Sequence, residues 1–441
     1  MEVQLETLIQ EKILSGIESP LPTLTRRDAR VPDIPGKAMV VIGMRRAGKT
    51  SFLHQQRADR IAAGRKPERQ VYFNFEDERL AGMKAGQLGL IPETHLRLFP
   101  ESTKEPVTFY LDEIQVVPGW ETFVRRMLDE GGHELFLSGS SAKLLSREIA
   151  TSMRGRAWEI QIHPFSFREW LRHHGHEIPE STSKLTSRRA ALLDKHFVAY
   201  LETGGFPEAQ GLALRDRRQL LQGYVDVLLF RDVIERHGVS NVTALRWMVR
   251  RLLGNPGGLF SVTKFEADLK SQGIRVGRET LYELLDHLED GFLLQTMPIA
   301  SDSEKRRQVN PRKAYPVDHG LTPVFDRSQK SNRGHSLEVS VHNELFRRGA
   351  EVAYVKTKSG YEVDFLSREA NGEQTLIQVC SSIDDPDTLD REARALLEAK
   401  AEHHDGRLLL LTAASRMPFP EVPDSIEIMP VWQWMLDNEE F

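Results

Sequence analysis

The sequence predicts an α/β fold built on a buried parallel sheet, and three observations predict it. Between residues 36 and 170, the apolar runs "AMVVIG", "QVYFNF", "VTFYLDE" and "ELFLSGS" alternate with helical stretches, the pattern of strands covered on both faces. The first run leads into Gly43-Met-Arg-Arg-Ala-Gly48-Lys49-Thr50, a full G-x-x-x-x-G-K-[ST] loop between a strand and a helix. The third ends in Asp112-Glu113, an acidic pair at the carboxyl end of a strand, where ligands gather in such sheets.

Residues 1–35 read as an amphipathic helix, "MEVQLETLIQEKILSG", and a Pro-rich connector, "SPLPTLTRRDARVPDIPG". The helix lacks the basic flank of a secretory signal. Residues 36–170 hold the loop-bearing sheet. Residues 171–258 turn helical, a lid-like segment that "NPGG" breaks at 255–258. Residues 259–300 read as two helices joined by a Gly-containing turn and then a short strand, a winged-helix outline. Residues 301–441 return to mixed α/β, with a helix at 335–348, three strands near 351–379, a helix at 388–403 and the strand "RLLLLT".

Composition sets outer bounds. A chain of 441 residues with 40% hydrophobic content supports several cored domains. A single cysteine excludes an internal disulfide framework and an all-cysteine metal site, and points to a reducing cytoplasm. No run of 18 apolar residues occurs, so no membrane-spanning helix is expected. The net charge of −5 gives no whole-molecule attraction to nucleic acid, but "RDRR" (215–218), "RWMVRR" (246–251) and "EKRRQVNPRK" (304–313) are local basic clusters.

The loop carries specific chemistry. Its glycines let backbone N–H groups curl around a phosphate, and the helix N-terminus adds partial positive charge. Gly43, Arg45, Arg46, Ala47, Gly48, Lys49, Thr50 and Ser51 are the expected nucleotide-binding set. Lys49 is expected on the β- and γ-phosphates of ATP, and Thr50 on Mg²⁺. Asp112 is expected to hold Mg²⁺ through water, with Glu113 as general base. Ser138 or Ser140, at the end of the next strand, reads equally as a γ-phosphate sensor or as plain turn chemistry. Arg154 and Arg156, on the loop "TSMRGRAWEI", are candidates for an arginine supplied to a neighbouring subunit's site, with Arg156 the better one.

These and further stretches resemble one family. "GMRRAGKTSFL", "YFNFEDERL", "YLDEIQVVPGWETFVRRMLD", "LSGSSAKLLSREIATSMRGRAWEIQIHPFSFREWL", "YLETGGFPEA", "LLFRDVIERHG" and "KAYPVDHGL" follow its order. The family is that of bacterial and archaeal AAA-type ATPases whose C-terminal half is a domain of unknown function with a restriction-endonuclease-like fold. The resemblance runs from about residue 36 to 380. It implies ATP binding, a helical lid, a winged helix and a nuclease-like C-terminal domain, and by analogy a homo-oligomer, hexameric in many AAA-type ATPases.

Restriction-endonuclease-like sites combine a helix acid, a strand Asp and an acid-x-Lys strand around Mg²⁺. The matching residues are Glu338, Asp364, Gln378 and Cys380. Cys380 stands where the lysine is expected, and a thiol supplies no fixed positive charge. Lys356, Lys358 and Lys400 are the lysines near enough in sequence to replace it. The expectation is a scaffold without nuclease chemistry. The second helix of the winged-helix outline, "RETLYELLDHLED", is acidic, which suits packing better than a DNA groove. The leading functional expectation is an ATPase that remodels branched or single-stranded DNA. The alternatives are a nucleotide switch acting on a protein partner and an ATP-gated nuclease.

Overall fold

Runs of Val, Ile, Leu, Phe and Tyr form β1 (Ala38–Ile42), β2 (Gln70–Asn74), β3 (Val107–Asp112), β4 (His133–Ser138) and β5 (Ala157–Gln161). Every residue of β1 and β3 is buried, as strands with helices over both faces require. The sheet order is β2-β3-β4-β1-β5, and all four pairings are parallel. The computed structural model describes residues 2–101, 105–139, 153, 155–182, 185–326, 333–413, 419 and 421–437. The chain divides into two compact units, Met1–His163 and Pro164–Phe441.

In the first unit, α1 (Glu2–Glu18) lays Ile9 and Ile13 against β2, and both side chains are fully buried. The helices α2 (Lys49–Ala62), α3 (Leu90–Leu98) and α4 (Trp120–Glu130) complete the layers. Phe52 and Leu53 of α2 join Met39, Val41, Tyr110, Phe136 and Ile160 in one core. The register sets Asn74 beside Asp112 and Val41 beside Ser138. Parallel pairing therefore brings the polar ends of β2, β3 and β4 to the same edge as the loop after β1.

The second unit begins with α5 (Phe167–His173), α6 (Ser187–Thr203) and α7 (Leu214–Val227). A π-helix over Leu228–Glu235 follows directly, and its wider turn buries Leu228, Leu229, Asp232 and Val233, spaced by four. Then come α8 (Val242–Gly254), β6 (Leu259–Phe260), α9 (Val262–Ser271), α10 (Arg278–Asp290), β7 (Leu294–Met297), α11 (Glu304–Val309) and β8 (Arg312–Pro316). The three strands form an antiparallel sheet in the order β6-β8-β7. The boundary read at residue 300 cuts through this sheet. Among the described residues, β8, reached across α11, pairs with both β6 and β7 and satisfies their backbone groups, so it belongs with them.

The rest of the unit comprises α12 (Thr322–Phe325), α13 (Arg333–Arg347), β9 (Glu351–Lys356), β10 (Glu362–Arg368), β11 (Gln374–Cys380), α14 (Pro386–Glu402), β12 (Arg407–Thr412), β13 (Ile426–Pro430) and α15 (Val431–Leu436). Its sheet runs β13-β12-β11-β10-β9, antiparallel from β9 to β11 and parallel from β11 to β13. Leu337 and Val341 of α13 share a core with Phe365, Ile377 and Leu409, and also with Phe197 and Tyr200 of α6. Leu389 and Leu396 of α14 pack with Leu366, Leu376 and Leu408 on the other face. The segments read from the sequence as lid, winged helix and C-terminal domain thus fall within one compact unit.

Two sequence stretches read as family marks have a packing cause. The buried Asp318 carboxylate of "YPVDHGL" accepts from the Gly205 N–H at 2.7 Å and the Gly320 N–H at 2.9 Å. Gly204 has φ +74°, and a Cβ there would strike the Asp318 carboxylate. "TGGF" and "VDHG" therefore constrain each other.

Candidate functional site

The loop after β1 is shaped by its own residues. Gly43 has φ +142°, and a Cβ there would collide with the Ile162 carbonyl oxygen. Gly48 caps α2 with φ 104°, open to glycine at little cost. The buried Lys49 ammonium donates to the carbonyls of Gly43 at 3.0 Å and Met44 at 3.2 Å. Ala47 is buried, Arg45 half-buried, and Arg46 exposed at φ 67°. Thr50 and Ser51 are exposed in the first turn of α2.

Asp112, fully buried, ends β3 beside this turn. Its carboxylate accepts from the Thr50 hydroxyl at 2.9 Å, the Tyr72 hydroxyl at 2.7 Å and the Ser138 hydroxyl. Ser138 also accepts from the Glu113 N–H at 3.1 Å. Three O–H donors on one buried carboxylate hold it aimed. Thr50 and Asp112, in contact, fit the expected magnesium-holding pair.

Glu113 sits in the left-handed region, φ 57° and ψ 38°. Such a conformation costs about 1–2 kcal/mol for a residue with a side chain, and here it turns the carboxylate out of the strand. Burial pushes its pKa up, opposed by the Lys49 charge and by the hydrogen bond that the Gln115 amide donates. A half-buried carboxylate of raised basicity is suited to accept a proton. Arg156 is exposed and paired with Asp129. Ser140 and Arg154 lie outside the described residues.

Two members of this site were not read from the sequence. Tyr72 lies on β2, where its hydroxyl among apolar neighbours was the available signal. Arg27, in the Pro-rich connector, is 5% exposed. Its guanidinium donates to the Ala47 carbonyl at 2.8 Å and to the His163 carbonyl. Its backbone N–H and C=O are both bonded by the Gln55 amide, at 2.7 and 3.0 Å.

The second unit gathers another charged group. The Lys313 ammonium of β8 lies 2.8 Å from a Glu362 oxygen, 3.2 Å from Asp364 and 3.4 Å from Glu338. The Tyr315 hydroxyl donates to Glu338 at 2.7 Å, and Gly257, from "NPGG", leaves room for that carboxylate. Burial and the Glu338 charge raise the Asp364 pKa to about 6, against the pull of Lys313. Burial lowers the Lys313 pKa, but the carboxylates more than reverse it.

Glu338 and Asp364 are therefore brought together; Gln378 and Cys380 do not join them. The Gln378 amide donates to Glu392 of α14 at 2.6 Å and accepts from the Asp364 N–H at 3.2 Å. Cys380 packs with Leu389 and Ala393 on the α14 face. From β11 the cluster receives the Val379 N–H, 3.0 Å from Asp364. The lysine at the cluster is Lys313, not Lys356, Lys358 or Lys400. Its signal was alternation: on β8 it shares a face with Tyr315, two residues on.

A family model described as an AAA domain matches residues 35–171, and one described as a domain of unknown function matches residues 194–331. Both stretches end before α13. The uncharacterized protein MJ1544 of Methanocaldococcus jannaschii is 33% identical over 444 residues, which span 97% of this chain and 95% of that protein. An uncharacterized protein of Haemophilus influenzae is 31% identical over 399 residues, 90% of this chain and 94% of its own. Among solved structures, the Walker-type ATPase PABY2304 of Pyrococcus abyssi aligns over 72% of this chain and 94% of its own, at 14% identity and a TM-score of 0.41. Likeness of that degree decides nothing further about the fold.

Proposed function

The chain belongs to the same family as the MJ1544 protein of Methanocaldococcus jannaschii and carries a P-loop AAA-type ATPase domain, and from that premise we propose an Mg²⁺-dependent ATPase that binds and remodels DNA as a homo-oligomer. Lys49 leaves the Gly43 and Met44 carbonyls for the β- and γ-phosphates of ATP. Thr50 and Asp112 would hold Mg²⁺, which would supply charge neutralisation at the phosphoryl oxygens. Glu113 takes the proton of the attacking water. Ser138 keeps Asp112 and the Glu113 backbone in register, and Arg156 serves a neighbouring subunit's site.

The observation that carries the DNA assignment is the outer face of α8. Arg246, Trp247, Arg250 and Arg251 are all exposed there, with Trp247 at 40%. Their spacing of one, three and four residues puts three guanidinium groups around one indole on a single helix face. Cations track the phosphate backbone, and a flat aromatic ring stacks on an unpaired base. Single-stranded or branched DNA supplies both.

The test is steady-state ATP hydrolysis with single-stranded, duplex, forked and four-way-junction DNA, with Lys49→Ala as blank. Stimulation by an unpaired or branched form is expected. A flat response to every form at low salt overturns the DNA reading. One observation favours a second reading, a nucleotide switch acting on a protein partner: α10 exposes Glu279, Glu283 and Asp286 beside Tyr282. A nucleotide-dependent change in assembly size without any DNA effect would support it.

A further inference from the structure

The corner formed by Glu338, Asp364 and Glu362 has the residue types of a divalent-metal site, so its fit to a metal can be tested on its own atoms. Mg²⁺ demands near-octahedral oxygens at about 2.0–2.1 Å around a shared centre. Here the point that faces all three carboxylates is held by the Lys313 ammonium, between 2.8 and 3.4 Å from each. An ammonium has three N–H donors and no acceptor, so it can direct one donor to each carboxylate. The Lys313 side chain is 3% exposed, so these carboxylates replace most of its water.

Other donors in the corner compete for the same carboxylates. Asp364 Oδ2 accepts from the Val379 N–H, and Glu338 Oε1 also accepts from Tyr315. The strand that should add a third ligand turns its polar group away: both ends of the Gln378 amide are bonded elsewhere. Among the described residues, no group of three or more His, Cys, Asp or Glu side chains is arranged to hold a metal ion. The residues do not fit one.

We propose that Lys313 is the resident cation of this corner, standing in for a divalent metal and fastening the β6-β8-β7 sheet to α13 and β10, so that the C-terminal domain performs no metal-dependent phosphodiester cleavage. Lys313 is placed for this by β8, whose register sets it opposite Leu259 of β6 and Met297 of β7. The strand cannot shift without pulling an ammonium out of three carboxylates, which leaves buried charge unpaired. This adds a cause to the expected loss of nuclease chemistry, and it does not depend on the DNA or ATPase reading.

The experiment is Mn²⁺ titration of the nucleotide-free full chain, followed by electron paramagnetic resonance of free Mn²⁺ and by Tm, in parent, Asp364→Asn, Lys313→Met and the double variant. The parent and Asp364→Asn should show the same Mn²⁺ response. Lys313→Met should have a lower Tm and gain a Mn²⁺-dependent rise that the double variant lacks. If Lys313→Met does not fold, the comparison of parent with Asp364→Asn still decides. Saturable Mn²⁺ binding by the parent that Asp364→Asn removes would overturn the proposal. So would Mn²⁺-dependent DNA cleavage by the parent that Asp364→Asn abolishes. An unchanged Mn²⁺ response in well-folded Lys313→Met would overturn it too.

Discussion

The Arg27 guanidinium reaches the Ala47 carbonyl at 2.8 Å, so a residue from the Pro-rich connector holds the back of the phosphate-binding loop. The same side chain bonds His163, where the first unit ends. A charge-assisted hydrogen bond of this kind contributes about 1.5–3 kcal/mol. Arg27→Ala is therefore expected to weaken ATP binding by roughly tenfold or more, read by titration with a fluorescent nucleotide. Arg27→Lys, which cannot bridge two carbonyls with a rigid fork, should fall between. Unchanged affinity in Arg27→Ala would remove the connector from the nucleotide site.

Glu113→Gln separates binding from turnover. The amide keeps the shape and the Gln115 neighbour but cannot take a proton, so kcat should fall by about 10²–10⁴-fold while nucleotide affinity stays near the parent's. Equal turnover in the two proteins would end the assignment of Glu113 as base.

The raised Glu113 pKa also predicts a pH profile. A base must be deprotonated to act, and burial delays that deprotonation. The acidic limb of kcat should therefore lie above the ordinary glutamate value of 4.5, with activity rising as pH rises through it. A limb at or below that value in a pH-rate series counts against the assignment.

Asp364 makes a stability prediction of the opposite slope. Its folded pKa is about 6 against a reference value of 3.8. Between those values the native state binds more protons than the unfolded chain, so stability falls as pH rises across that window. Asp364→Asn cannot titrate, and its urea midpoint should vary less between about pH 4 and 6. The slope is the readout, because the substitution also removes a partner of Lys313. Parallel slopes would show that Asp364 titrates normally.

Trp247→Ala and Arg250→Glu probe the exposed face of α8. Removing a base-stacking platform costs about 1–3 kcal/mol per base, roughly 5- to 150-fold in single-stranded DNA affinity. Reversing an arginine should also flatten the salt dependence. Neither residue is buried, so Tm should move little. Full DNA affinity in both variants would clear α8 of contact.

What the sequence made legible was local. The strand, the loop and the helix opening at Lys49 are contiguous, and residues 38–62 carry the whole pattern. Asp112 and Glu113 were legible because two adjacent carboxylates ending an apolar strand would be costly to bury without a partner or a ligand. Lys313 was hidden for the converse reason. It lies in "EKRRQVNPRK", which reads as a solvated basic run, while its burial is decided by carboxylates 25, 49 and 51 residues away. Gln378 and Cys380 matched a spacing, but which face of β11 they occupy depends on the helix packed there. Arg27 and Tyr72 act on partners 20 and 40 residues distant, beyond any periodic signal.

Lys49 adds a kinetic consequence. Its ammonium, bonded to two carbonyls of its own loop, keeps the loop curled by the chain's own means. Nucleotide capture is then a swap of acceptors for one lysine, not the ordering of a floppy segment, and little conformational entropy is spent on it. Association should follow a single phase, with a rate linear in ATP concentration and no plateau from a slow closing step.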